Sequence, residues 1–264
     1  MKLCWLTDIH FNLLSEDEIS LFLDEIHNSN PDAILIGGDI GDSKNIIHCL
    51  QLFTNRFTIP IHFVLGNHDY YHGSIAWVEQ AVEEICEESA NLIWLDKVDQ
   101  TMLGEGVSLI GHGSWADGRF GDYSNSDVML NDYMLIKELS NLRKVERLLT
   151  MQQLADKAAT HFDSILPLAL SKSDHVICLT HVPPFREACW HEGRISGQMW
   201  LPHFSCKVVG EVLTKHMNQF PEKRMTVLCG HTHSSGIAMI SQNLRVITGQ
   251  AAYGAPETQH IPDW

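Results

Sequence analysis

The sequence predicts a layered α/β fold. Short apolar runs that stop abruptly at polar or glycine-containing clusters alternate with segments whose apolar residues recur at helical spacing. Strand, polar loop, helix and strand in repeated succession is the pattern of sheets covered by helices. The apolar runs are only a few residues long, as buried strands are, and lack the in–out alternation of a half-exposed sheet.

The elements follow in order. Residues 3–7 form an apolar run that ends at Asp8. Ser15 and Glu18 make a capping-box signature, and Ile19, Phe22, Leu23 and Ile26 follow on one helical face. Residues 33–36 are a second strand, broken by Gly37-Gly38. Residues 43–57 read as helix, 61–65 as a strand ended by Gly66, and 74–88 as an amphipathic helix. A strand closes at Leu109-Ile110, and 111–131, rich in Gly, Asp, Ser and Asn, is loop. Residues 128–170 read as largely helical, with the long second part starting at Ser140 or Asn141 and Pro167 near its end. A strand at 176–179 leads to a second long loop, 183–202, which carries Trp190 and Trp200. A helix at 207–217 precedes strands at 226–228, 237–240 and 244–247. No internal repeat interrupts the succession, so one domain over 1–264 is expected, with a helical and loop insertion at about 111–170 and a lid-like loop at about 183–204.

Composition narrows the function. Acidic residues outnumber basic ones 33 to 18, giving a formal charge of −15. Such a surface repels nucleic-acid backbones and anionic membranes, and no lysine- or arginine-rich run offsets it. Seven scattered cysteines, never in a Cys-x-x-Cys arrangement, suit a reducing compartment. The first residues meet Asp8 too soon for a secretory apolar region, and no apolar run approaches membrane-spanning length. The expectation is a cytoplasmic protein with a small substrate.

One pattern carries chemistry: an apolar strand runs straight into metal-competent residues. It occurs at Asp8-Ile9-His10, Gly38-Asp39-Ile40-Gly41-Asp42, Gly66-Asn67-His68-Asp69, Thr180-His181 and Gly230-His231-Thr232-His233. Ligands in open α/β sheets bind beyond the carboxyl ends of strands, where these clusters fall. Carboxylate and amide oxygens with imidazoles suit manganese, iron, zinc or nickel, and two such ions can share a bridging aspartate.

The order of these five blocks resembles that of the calcineurin-like metallophosphoesterases, and the resemblance spans residues 8–233. It implies a four-layer α-β-β-α sandwich with metals at the strand C-terminal ends. It further implies that Asp8, His10 and His233 hold one divalent ion and Asn67, His181 and His231 the other, with Asp39 bridging. His68 would stabilise the transition state or protonate the leaving oxygen, Asp69 would orient its ring, and Asp42 would support the cage. The implied activity is hydrolysis of a phosphomonoester or phosphodiester of a small nucleotide or metabolite. A noncatalytic scaffold and a nuclease are the alternatives. The intact ligand set disfavours the first, and the acidic charge disfavours the second.

Substrate contacts are sought in the loops. His112, Arg119 and Tyr123 in the 111–131 loop are candidates, with a loop-supporting hydrogen bond as the alternative for His112 and a solvated side chain for Arg119. Cys189, His191, His203 and Cys206 have zinc-competent side chains, but their spacing matches no zinc motif. That segment reads instead as a substrate-side lid or as packing against the helices of 128–170. Tyr253 is read as structural.

Overall fold

The computed structural model describes residues 1–262. Strands β1 (Leu3–Leu6), β2 (Ala33–Gly37), β3 (Ile61–Val64) and β4 (Leu92–Trp94) form a parallel sheet in that order. Helices α1 (Glu16–Asn28), α2 (Ile46–Arg56) and α3 (Ile75–Glu88) make the crossovers. The capping box read from Ser15 and Glu18 is formed, and Ile19, Phe22, Leu23 and Ile26 are the buried face of α1.

The second half builds another sheet from β5 (Thr101–Gly104), β6 (Val107–Gly111), β7 (His175–Leu179), β10 (Arg224–Cys229), β11 (Gly236–Met239) and β12 (Leu244–Thr248). Between β6 and β7 lie α4 (Asp132–Leu135) and α5 (Lys144–Lys172). Between β7 and β10 lie a small hairpin, β8 (Trp190–His191) with β9 (Arg194–Ile195), then α6 (Leu201–Phe204) and α7 (Lys207–Gln219). The order across the sheet is β11-β12-β10-β7-β6-β5. The four inner strands are parallel, and antiparallel β5 and β11 form the edges.

The strands are apolar on both faces because both faces are covered. Trp5, Leu35 and Val64 of the first sheet meet Leu109, Ile177, Leu179, Leu228 and Ile247 of the second. The alternate residues, among them Leu6, Ile34, Ile36, Phe63, Cys178, Val227 and Cys229, pack in a separate cluster with the helices. The result is the four-layer α-β-β-α sandwich. Burying each such side chain contributes roughly 1.5–3 kcal/mol before chain entropy is counted. No helix among the described residues is long and apolar enough to cross a membrane.

Two stretches differ from expectation. Residues 128–143 hold only the four-residue α4, and the long helix starts at Lys144 rather than at 140 or 141. Asn141 sits at φ 58°, off the helical path, while Arg143 caps α5 by donating its backbone N–H to Glu146 at 3.0 Å. Strands β4 and β5 were not anticipated, since three or four residues in an edge position show little periodicity.

Candidate metal centre

All the parallel strands of the two sheets that carry the motif blocks end at one edge of the sandwich. Just beyond them the chain turns sharply: Asp8, His10, Asp39, His231 and His233 all have left-handed backbones, with φ between 43° and 70°. Left-handed geometry in non-glycine residues costs on the order of 1–3 kcal/mol each and persists where function holds it. The turns interlock. Asp8 donates its N–H to Gly38 O at 3.0 Å, His10 does so to Asp39 O at 3.0 Å, and His231 donates to Asp8 Oδ1 at 3.0 Å. Glycine is required where a carboxylate presses on the neighbouring chain. A Cβ on Gly66 would run into the Asp39 carboxylate, and one on Gly230 into Asp8 and Thr7.

The structure brings the seven expected ligands together in two groups. In the first, donor atoms of Asp8, His10, Asp39 and His233 all lie within 4.8 Å of one another. His233 Nε2 is 3.3 Å from both Asp8 Oδ1 and His10 Nε2. In the second, Asn67 Oδ1 lies 3.0 Å from His181 Nε2 and 2.9 Å from His231 Nδ1. Asp39 stands between the groups. Its Oδ1 is 3.3 Å from His181 Nε2, and its Oδ2 is 3.9 Å from His10 Nε2.

The electrostatics of this donor set fit cations. Burial holds His10, His68 and His231 neutral, at about 4, 2 and 3. Neutral imidazole is the ligating form. Burial, and after it the charges of Asp8 and Asp69, push Asp39 well above the usual carboxylate range. A divalent ion beside it reverses that penalty. Burial would raise Asp8 too, but a hydrogen bond from His233 and the nearby imidazoles outweigh it and lower the carboxyl. The same Asp8 contact raises His233 against the effect of burial.

A second set of side chains orients the first. His181 Nδ1 is fixed on Gly37 O at 2.9 Å, which turns Nε2 inward. Asn67 Nδ2 donates to Asp132 Oδ1 at 2.8 Å, and Tyr71 OH donates to the same oxygen at 2.6 Å. Asp132 thus fixes which end of the Asn67 amide faces the histidines. No sequence signal marks Asp132, which arrives from α4. Tyr71 follows the Gly-Asn-His-Asp block directly and was also missed. His68 lies at the open side of the centre, its ring stacked on Tyr71 at 4.1 Å and tilted against His10 at 4.7 Å.

Several expected roles are corrected. Asp69 does not orient the His68 ring, because its carboxylate accepts the backbone N–H groups of Ile40, Gly41 and Gly66, each at 2.8 Å. Asp42 accepts from Lys44 N at 2.9 Å in the turn before α2 and supports no ligand. His112, Arg119 and Tyr123 stay away from the centre because the 111–131 loop folds back toward α5. His112 Nδ1 faces Asp96 at 3.1 Å and accepts from Ser114 N. Arg119 pairs with Asp117 and Asp156, at 3.2 and 2.7 Å. Tyr123 is buried, donating to Lys144 O and accepting from Arg147 Nε. Cys189, His191, His203 and Cys206 form no second cage. Both ring nitrogens of His203 are taken by Ser126 and Tyr133, and Cys189 Sγ points at Phe185 and Phe204 carbonyls.

The cleft above the centre has a volume of about 230 Å³. His191 and Phe204 from the 183–204 loop line it, facing the side of His68 and Tyr71. Tyr253 lines it as well, against the expectation of a purely structural residue.

Comparison with known proteins gives the family and the fold. A sequence profile described as calcineurin-like phosphoesterase matches residues 1–235. An uncharacterized metallophosphoesterase of Helicobacter pylori is 32% identical over 121 residues, covering 42% of this chain and 29% of that protein. The chain therefore spans less than a third of the length of that curated relative. Among solved structures, phosphopantetheinyl hydrolase from Mycobacterium tuberculosis superposes with a TM-score of 0.66 at 15% identity, covering 99% of this chain and 96% of that one. A dimetal phosphatase from Danio rerio gives 0.59 at 13% identity, covering 97% and 89%. At such identities the likeness is one of fold.

Proposed function

The chain belongs to the calcineurin-like phosphoesterase family, and from its centre we propose a dinuclear metal-dependent hydrolase of phosphoric ester bonds in small phosphorylated molecules. One observation carries this reading: the two oxygens of Asp39 face two separate groups of histidine, amide and carboxylate donors. Asp8, His10 and His233 would hold one divalent ion, Asn67, His181 and His231 the other, and Asp39 both. Bound there, two ions would supply an activated water nucleophile and charge stabilisation at the phosphoryl oxygens. Manganese, iron, zinc and nickel all suit the mixed oxygen and imidazole donors.

The chain's own groups do the rest. His68 lines the open side of the centre with its Nε2 3.9 Å from Asp39 Oδ2, where it would donate a hydrogen bond to a phosphoryl oxygen or hand a proton to the leaving oxygen. His68→Ala should keep its metals and lose turnover about 10²–10⁴-fold. On the hydrogen-bond role the loss is equal for good and poor leaving groups. A loss confined to poor leaving groups, measured across a series of aryl phosphates, would make His68 a general acid instead.

Seven free cysteines, most of them buried, support a reducing and hence cytoplasmic setting. The acidic surface supports a small substrate rather than nucleic acid. The test is a panel of phosphomonoesters and phosphodiesters assayed with manganese, nickel, zinc and iron added separately. Metal-stimulated release of phosphate or phosphomonoester is expected. Stoichiometric metal binding without turnover of any activated aryl ester would instead indicate a noncatalytic scaffold.

A further inference from the structure

Tyr253 is 58% exposed, yet its ring does not face open solvent on every side. Its centroid lies 4.8 Å from that of His10, 4.9 Å from His233 and 6.2 Å from His68. It therefore leans over the centre and leaves much of its surface in the cleft. The turn that carries it is fixed. Gly254 turns the chain at φ 77°, and Gln259 braces the segment by donating to Gln250 O at 2.8 Å and accepting from Gln250 N at 2.9 Å. Gln259 is itself anchored to β1 through Trp5 O at 2.7 Å.

Phe204 belongs to another wall of the same cleft. Its ring meets the His231 ring edge-on at 5.5 Å and is backed by Trp200, stacked at 5.3 Å. Among the described residues lining this cleft there is no lysine or arginine. A polyphosphate, or a monoester with two charges, would find no cationic side chain beyond the metals. A singly charged ester with an uncharged flat group would find an aromatic surface to cover.

We infer that Tyr253 is a specificity-determining residue, stacking on a planar aryl or heteroaryl group in the non-leaving position of a phosphodiester seated at the metal centre. The inference rests on the reading of the centre as a phosphoester site and names the substrate class it favours. An exposed aromatic ring beside a polar centre gains most by covering another flat apolar surface. Tyr253 contributes neither a metal ligand nor the attacking group, so its effect is on affinity for the organic part.

The experiment separates stacking from chemistry. Two diesters with the same leaving group, phenyl 4-nitrophenyl phosphate and methyl 4-nitrophenyl phosphate, are compared with manganese-loaded protein. Binding of methyl phenylphosphonate and methyl methylphosphonate, which carry a single charge as the diesters do, is measured by calorimetry alongside. The wild-type protein should prefer the phenyl member of each pair. Tyr253→Ala should lose about tenfold on the phenyl member, chiefly in KM or Kd, with little change for the methyl member. Tyr253→Phe should retain the preference. Equal weakening of both members, or no phenyl preference in the wild-type protein, overturns the proposal. A Tyr253-dependent preference for the phenyl-bearing phosphonate without turnover of either diester upholds the subsite and counts against diester hydrolysis at the centre, so the two failures are distinct.

Discussion

Asn67 shows how a proposed ligand depends on a neighbour that sequence patterns do not reveal. An amide can present either its oxygen or its nitrogen, and only the oxygen binds a cation. Asp132, by accepting from Asn67 Nδ2, directs the oxygen to His181 and His231. Asp132→Ala should therefore weaken one of the two proposed metal sites by about 10–100-fold while sparing the other. Asp132→Asn should be milder, since its carbonyl can still accept. Metal titration of the apoprotein checks both, and unchanged affinity in the alanine variant would remove Asp132 from the centre. That the seven proposed ligands would gather was legible because each follows a strand within a few residues, so local spacing carries the signal. Asp132 lies 65 residues from the amide it holds. Asp69 and Asp42 sit inside the same motif blocks, and what they bind, backbone N–H groups, leaves no trace in residue type.

Between elements, Asp69 joins the loop after β2 to the loop after β3 by accepting from Ile40, Gly41 and Gly66. Asp69→Ala would leave three buried N–H groups without an acceptor. The expected loss of stability is about 3–5 kcal/mol, read as a fall in thermal or denaturant midpoint, with Asp69→Asn recovering part of it. A shift under 1 kcal/mol would show that the two loops hold their shape without it. The long loops behave similarly as a joined pair. Asp117 N and Gly118 N donate to Ser205 O and Pro202 O at 3.1 Å, and Asp122 N donates to Gln198 O at 2.8 Å. Loop-to-loop pairing of this kind has no periodicity. For that reason strand and helix positions were readable in outline, while the path that takes His112, Arg119 and Tyr123 away from the cleft was not.

For the molecule as a whole, the two-sheet sandwich buries ionisable groups that have no part in the centre. Burial lowers His62 and His175 to about 4. An unfolded histidine titrates near 6.5, so the unfolded chain takes up protons first as pH falls. Their contribution is intact above about pH 6.5 and is lost as pH drops from there through about 4, on the order of 1–3 kcal/mol each. Metal-free protein should therefore melt lower at pH 5 than at pH 7.5, and His62→Leu should flatten that slope. An unchanged slope would show that His62 is solvated in the fold. The layered architecture was legible from the alternation of apolar runs and helical faces, whereas the closing edges β4 and β5 were too short to announce themselves. If this architecture brings two metal ions together across Asp39, anomalous diffraction from a crystal equilibrated with manganese should show two peaks roughly 3.5–4 Å apart with the Asp39 carboxylate between them; a single peak, or two peaks that do not share Asp39, would mean that the two donor groups do not form one centre.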